Sequence, residues 1–501
     1  MSWLITMPLV IPFTTAILAL LAGNNRSLRR GVALAGSMAL TWAAWQIFQT
    51  VRLEGVLAAQ MGRWAAPFGI TMVADPVSAI MVLLTAIIGL GGVLYSFADI
   101  DERRESFGYY SLLHLLLGAV CGAFLAGDLF NLYVWYELVL ISSFSLLILG
   151  GERAQIDGAV KYLALNLVAT LMLLCGIVLL YGQTGTLNMA DLHLRVKEVQ
   201  NTGLLTGISV LFIMAFGIKS AVFPLFFWLP ASYHTSPVVV SAIFSGLLTK
   251  VGIYSLLRMF TLVFTQDVGY THQLLLFIAG FTMVTGVLGA AAHNEIRRIL
   301  LFHIISQIGY LVMGIALFTP LALAGTIYFL GHIIVVKTAL ILLGGMINRR
   351  SGTMELASVG GYYQSAPFLA FLFFICAFSL AGFPPLSGFW AKFALVRAGM
   401  ETGSYGIVAT ALAVGLMTAY SMTKIWGEAF WKPAPACQPA DPVVAETATS
   451  TWLLYSPVVA FTVLTVVMGF WAEPFLEISM QASQALFSPD GYVRAVLEAT
   501  P

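Results

Sequence analysis

The chain has 501 residues, of which 59% are hydrophobic and only 9% charged, against roughly 25% charged in an ordinary soluble domain. That composition excludes a soluble enzyme, and 24 basic against 23 acidic residues offer a nucleic acid no basic surface. The four cysteines, Cys121, Cys175, Cys376 and Cys437, have neither metal-ligand spacing nor disulfide density, so an all-α polytopic membrane protein remains.

A hydrocarbon core about 30 Å thick takes roughly 20 apolar residues per helix, and fourteen segments meet that demand. The first, 3–23, has no small-residue cleavage site after it and reads as a retained helix. With 31–50 and 73–97 it makes an N-terminal unit, residues 1–106. Segments 107–126, 127–149, 159–182, 204–230 and 236–260 form a five-helix unit over 107–260. Segments 270–292, 297–318, 321–347, 366–400 and 404–428 form a second over 270–428. Residues 429–501 hold a cytoplasmic loop, a last helix at 452–472 and a C-terminal tail. The polar stretches 183–202 and 429–450 read as surface loops, the second broken by Pro433, Pro435, Pro439 and Pro442. The tail mixes Phe475, Leu476, Val493 and Val496 with acids, which fits a membrane surface or a neighbouring subunit.

Cytoplasmic loops hold an excess of Lys and Arg. Loops after odd-numbered segments carry thirteen basic residues and the remaining loops with the tail carry seven. Both termini are therefore placed outside the cytoplasm. Four lysines are left over, Lys219, Lys250, Lys337 and Lys392, and each falls inside a span. Glu137 is the one acid at the middle of a span, and His114, His303 and His332 also lie within spans.

A charge at the bilayer centre costs at least about 2.5–3.5 kcal/mol, so such residues face a bundle interior and mark ion or proton pathways. The bland alternatives are a snorkelling lysine, a structural ion pair between Glu137 and Lys219, and hydrogen-bonded packing for each histidine. Burial disfavours an ammonium and a nearby carboxylate favours it. Glu137 and Lys219 can thus act as a switch, holding a proton while paired and releasing it when apart. His332 and His303 can bridge gaps between lysines; His114 reads as packing.

Two segments join a proline break to a lysine: Lys219 to Pro230 through Pro224, and Phe383-Pro384-Pro385 to Lys392. Proline removes a donor and clashes with the preceding turn, and freed backbone at membrane depth survives only where protein or water satisfies it. Corresponding breaks in two halves of a chain point to a transport site between inverted repeats. The breaks are five segments apart, and an odd number of spans per unit forces inversion. Lys219 precedes its break, whereas Lys392 follows its own.

The stretch Gly127-Asp128-Leu129-Phe130-Asn131 through Trp135-Tyr136-Glu137 to Ile141-Ser142-Ser143 resembles the signature helix of the antiporter-like subunits shared by respiratory complex I and the Mrp-type multisubunit Na+/H+ antiporters. Its opening and its Ile-Ser-Ser are most like the Mrp D subunits. Lys219 to Pro237, Lys250 with Gly252, Glu295 to Tyr310, His332 to Leu340 and Gly382 to Lys392 extend the resemblance over about residues 70–430. It implies fourteen helices, inverted repeats of the fourth to eighth and ninth to thirteenth, and discontinuous seventh and twelfth helices. It implies a Glu137–Lys219 ion pair, Lys250 and Lys337 as a central relay, and Lys392 as the terminal group, where other members have glutamate. Relatives often carry Tyr-Ser-Ser where this chain has Phe302-His303-Ile304, and aspartate in place of Glu295.

The expected function is proton translocation in a multisubunit cation (Na+)/H+ antiporter of the plasma (inner) membrane, through half-channels at the seventh–eighth and eleventh–twelfth helices. The sodium path can lie in another subunit. The alternatives are a proton-pumping subunit of a redox complex, of respiratory complex I or membrane-bound hydrogenase type, and a non-conducting assembly scaffold. The expected partners are other membrane subunits, the lipid bilayer, H+ and Na+, with no cofactor, no metal and no nucleic acid.

Overall fold

The computed structural model describes residues 2–435 and 448–498; Cys437, Pro439 and Pro442 fall outside the described residues. A backbone in lipid must close its hydrogen bonds within each segment, and the described chain is accordingly almost all helix. Twelve of its helices are long and apolar enough to cross a bilayer, and two shorter apolar helices, Tyr109–Leu125 and Pro367–Ala381, stand with them.

Helices α1 (Ser2–Leu21), α2 (Arg26–Glu54) and α3 (Pro76–Asp99) pack on one another. A reciprocal cap between Asp75 and Ser78, just ahead of Pro76, starts α3. Between α2 and α3 lies a hairpin that hydropathy does not foresee: β1 (Leu57–Gln60) antiparallel to β2 (Thr71–Ala74), with Gln60 opposite Thr71. Four-residue strands carry too little period-2 pattern, and β2 merges into the apolar run of α3.

The chain continues with α4 (Glu102–Ser106), α5 (Tyr109–Leu125), α6 (Leu129–Leu147) and α7 (Arg153–Thr184). The stretch 183–202, expected as a surface loop, contains α8 (Met189–Arg195), whose first four residues are buried. Asn188 caps α8, its side chain accepting from the Ala190 and Asp191 N–H groups. The segment expected at 204–230 is two helices, α9 (Thr202–Ser220) and α10 (Trp228–Tyr233). Helices α11 (Val238–Leu262), α12 (Val268–Ala292), α13 (Ile296–Leu317) and α14 (Pro320–Ser351) follow. After the short α15 (Tyr362–Ser365), the segment expected at 366–400 also divides, into α16 (Pro367–Ala381) and α17 (Ser387–Glu401). Helices α18 (Tyr405–Ile425) and α19 (Ala448–Phe470) are spans. The tail forms α20 (Ala472–Phe487) and α21 (Asp490–Leu497). It lies against its own chain: α20 packs on α14, with Ser483 Oγ donating to the Pro320 carbonyl at 2.6 Å.

A helix that is hydrophobic all round is a buried helix. Helix α11 is buried along its whole length, and α14 and α13 over almost all of theirs. These three form the centre of the bundle, and they carry Lys250, His303, His332 and Lys337. The two ends of the bundle remain distinct. At one end β2 bridges Ala126, and Asp128 bridges Asn188; at the other, Glu295 bridges Glu355. Each bridge joins loops that the charge bias assigns to the same side. At the arginine-rich end, Glu105 is fully buried and paired with Arg26 at 3.1 Å and with Arg30 at 2.5 Å.

Candidate functional site: a row of buried lysines

Helix α9 stops at Ser220, where Ala221 takes a left-handed φ of 58°. The Ile218 carbonyl, which takes the Ala221 N–H at 3.1 Å, also accepts the Trp228 indole N–H at 2.9 Å, and the Phe223 N–H donates to Thr282 Oγ1 at 2.9 Å. Lys219, on the last turn of α9, is buried and donates to Thr170 Oγ1 of α7 at 2.9 Å. Its Nζ lies 5.1 Å from the centre of the Tyr136 ring.

The expected contact pair is not closed in this structure. Among the described residues, no ion pair within 4.0 Å joins Glu137 to Lys219. Neighbours on a helix point about 100° apart, so Tyr136 faces the lysine while Glu137 turns toward the stripe of Val134 and Ile141, which are 45% and 58% exposed. The carboxylate stays within Coulombic reach of the ammonium.

Tyr136 also ties this end of the row to α11. Its hydroxyl donates to the Val251 carbonyl at 3.0 Å and meets Ser255 Oγ at 2.8 Å. Gly252 allows the approach: a Cβ there would sit 2.3 Å from Ser220 Oγ. Lys250, one helical turn before Tyr254, is fully buried and donates to the Ser245 carbonyl. Lys337 on α14, also fully buried, donates to the Leu300 carbonyl of α13 at 3.2 Å. It lies within Coulombic range of Lys250 and of Lys392.

His332 joins α14 to the second break. Its Nδ1 meets Ser387 Oγ at 2.8 Å, and Ser387 Oγ lies 3.1 Å from Ser379 Oγ. Gly388 makes this junction possible, because a Cβ there would fall 1.9 Å from the Ser379 carbonyl and 3.0 Å from the His332 ring. Helix α16 ends at Ala381, and Lys392 folds back to donate to the Leu380 and Ala381 carbonyls at 2.9 and 3.0 Å. A cation at a helix C-terminus satisfies both the orphan carbonyls and the dipole. This explains why Lys392 follows its break: it caps the helix before the break, the task the Trp228 indole performs at the first break. Pro224 and Pro384 with Pro385 lie in the two non-helical stretches. A cavity of about 590 Å³ opens beside Lys392, lined by Tyr310, Gly382, Pro384 and Phe389 among others.

His303 is buried on α13 with neither ring nitrogen hydrogen-bonded to protein, and Ser306 and Gln307 on the next turn are in the same condition. His303 sits within Coulombic range of Lys337 and Lys392. His114 stands apart from the row, its Nδ1 2.9 Å from the Tyr110 carbonyl and its Nε2 3.1 Å from Ser37 Oγ. Sequence reasoning missed Thr170 and Tyr136, which hold Lys219, and Ser387 and Ser379, which hold His332. Tyr136 and Ser387 lie inside the stretches already singled out, but hydroxyls in apolar helices carry no periodic signal. Arg258, one of the seven basic residues counted outside the odd-numbered loops, is buried in an ion pair with Asp75 at 2.6 Å.

Residues 126–418 match the family described as NADH:quinone oxidoreductase/Mrp antiporter. The chain belongs to that family. It is 43% identical to the D subunit of the Na(+)/H(+) antiporter of Alkalihalophilus pseudofirmus, over 99% of this chain and 100% of that one. It is 40% identical to the corresponding Na(+)/H(+) antiporter chain of Bacillus subtilis, with the same coverage. A chain in the structure of the Mrp complex from a Dietzia species superposes with a TM-score of 0.91 at 32% identity, covering 99% of each chain. The family match begins at the turn into α6 and spans both helix breaks and all four buried lysines.

Proposed function

We propose that this chain moves protons along the row Glu137, Lys219, Lys250, Lys337, Lys392, with His332 and His303 bridging around Lys337. The chain is a membrane subunit of a multisubunit Na+/H+ antiporter, a transporter subunit and not an enzyme, and other membrane subunits are its partners. We read the bundle as fourteen transmembrane helices, with inverted five-helix units over 107–260 and 270–428 flanked by residues 1–106 and 429–501.

One observation carries the relay. Among the described residues, none of the four lysines has a carboxylate within 4.0 Å, and each is held by neutral oxygens. A buried ammonium with no acid partner is costly, so four of them in one bundle are more than structure alone calls for. An ammonium held by neutral acceptors gives up its proton without breaking an ion pair. The unpartnered atoms of His303, Ser306, Gln307 and His332 Nε2 line the same region, and buried polar atoms of this kind are satisfied by water. Glu137, turned to the lateral face beside Val134 and Ile141, suits contact with a neighbouring subunit.

In the complete complex, Glu137→Ala and Lys219→Ala each abolish cation-dependent proton exchange while the complex still assembles. Wild-type exchange by either variant in everted vesicles contradicts the switch.

A further inference from the structure

Beyond the lysine row, α11 carries a second polar feature. Lys250, Tyr254 and Arg258 are spaced four residues apart and so share one face of the helix. Arg258 lies about 12 Å beyond Lys250 along the axis. Its guanidinium donates to Asp75 Oδ2 at 2.6 Å and to the Tyr254 hydroxyl at 3.1 Å. The Tyr254 hydroxyl donates in turn to the Phe124 carbonyl at 2.7 Å. The face therefore runs from the central relay to the end of the bundle that holds the hairpin, α8 and α21.

That end is roofed by the tail. The Tyr492 ring of α21 sits 5.0 Å from the Arg258 guanidinium, and its buried hydroxyl has no hydrogen-bond partner. Asp128, at the start of α6, uses Oδ1 to cap that helix through the Asn131 N–H at 2.7 Å, while its buried Oδ2 is unpartnered. Asp128 and Asp75 both lie within Coulombic range of Tyr492. The tail is held at this point by the Gln60 side chain, which donates to the Val496 carbonyl at 3.1 Å. The unpartnered Tyr492 hydroxyl, carried by α21 over the Arg258 guanidinium and within Coulombic range of Asp128, and the unpartnered Asp128 Oδ2 at the start of α6 give this end the form of a closed port.

We propose that Asp128, the Asp75–Arg258 pair and Tyr492 form the extracytoplasmic proton port of this chain, and that residues 488–498 are its lid, which lifts to let protons pass between the medium and Lys250. Arg258 stays protonated throughout; the transferred proton passes between Lys250, water and the Asp128 carboxylate. The inference rests on the proton-relay reading for its purpose, and its test reads accessibility as well as transport.

The test uses the complete complex, with the four native cysteines replaced and Tyr254→Cys introduced as a reporter. A membrane-impermeant methanethiosulfonate is applied from the extracytoplasmic side. Adding Tyr492→Ala raises the labelling rate by about tenfold or more, because local opening exposes the face beneath, whereas Tyr492→Phe keeps the ring seated and leaves the rate unchanged. Equal labelling with and without Tyr492→Ala overturns the lid. A second preparation with Tyr254 and Tyr492 intact carries Gln60→Cys and Val496→Cys, joined by a reducible bifunctional thiol linker. Cross-linking stops exchange and reduction restores it; exchange at the uncross-linked rate overturns the lid, whether or not Tyr492→Ala assembles. Labelling does not depend on which ion the complex carries, so failure of the relay reading, in which Lys219→Ala transports normally, is distinguishable from failure of the lid.

Discussion

At the scale of single residues, the chain contains two kinds of buried charge. Arg258 is paired with Asp75, and Glu105 with Arg26 and Arg30; Lys250 and Lys337 meet only carbonyls. The first kind is compensated by its counter-charge, the second is the kind the proposed relay uses, and the two respond differently to substitution. Asp75→Ala leaves Arg258 buried without a counter-charge, a change that costs about 3–5 kcal/mol. The thermal unfolding midpoint of the purified complex therefore drops, and Asp75→Ala combined with Arg258→Met recovers most of the loss, since no unpaired ion remains. A double variant no more stable than Asp75→Ala contradicts the structural assignment of the pair. Thr170→Val, by contrast, removes the acceptor of Lys219 without a change of volume. It lowers the exchange rate with little effect on the midpoint; an equal fall in both assigns Thr170 to packing alone.

At the scale of elements, the two helix breaks are fixed by small residues as much as by proline. Gly388→Ala places a Cβ 1.9 Å from the Ser379 carbonyl and against the His332 ring, so it displaces α17 from α16 and lowers both stability and exchange. Gly269→Ala, on α12 where a Cβ meets nothing within 4 Å, is the matched control and leaves both unchanged. Indistinguishable behaviour of the two variants contradicts a tight junction at the second break. Much at this scale was legible in the sequence. Pro224 and the Pro384-Pro385 pair located the breaks, because a missing N–H disrupts a helix whatever surrounds it. The apolar runs located the spans, because lipid allows few other structures. The lysines stood out because charge at membrane depth is rare. The hairpin and α8 were hidden, since both are short and depend on tertiary contacts such as Asn188 Nδ2 with Thr71 Oγ1 at 3.1 Å. The open Glu137–Lys219 pair was hidden too, because residue types fix which charges attract but not which rotamer they occupy.

At the scale of the whole molecule, α11, α13 and α14 form a buried centre, and the row crosses it from α6 and α9 at one side to α17 at the other. A row that ends at lateral faces is suited to a protein that works beside others. The exposed stripe Phe130, Val134 and Ile141 surrounds Glu137 at one end, and the cavity beside Lys392 opens at the other. A photo-crosslinking residue at Val134 captures another membrane subunit of the complex; adducts to lipid alone contradict a subunit interface there. The tail adds a constraint of its own, since α20 and α21 lie on the chain's own surface instead of reaching outward.

The central claim is that the buried lysines release their protons in each cycle. Lys250→Arg and Lys337→Arg keep the positive charge but hold the proton at every accessible pH. Cation-dependent proton exchange by the complete complex, measured in everted vesicles at matched complex content, tests that claim most directly. Exchange at background level in both variants is the predicted result, and exchange at the wild-type rate in either would show that these lysines are fixed charges and contradict the relay.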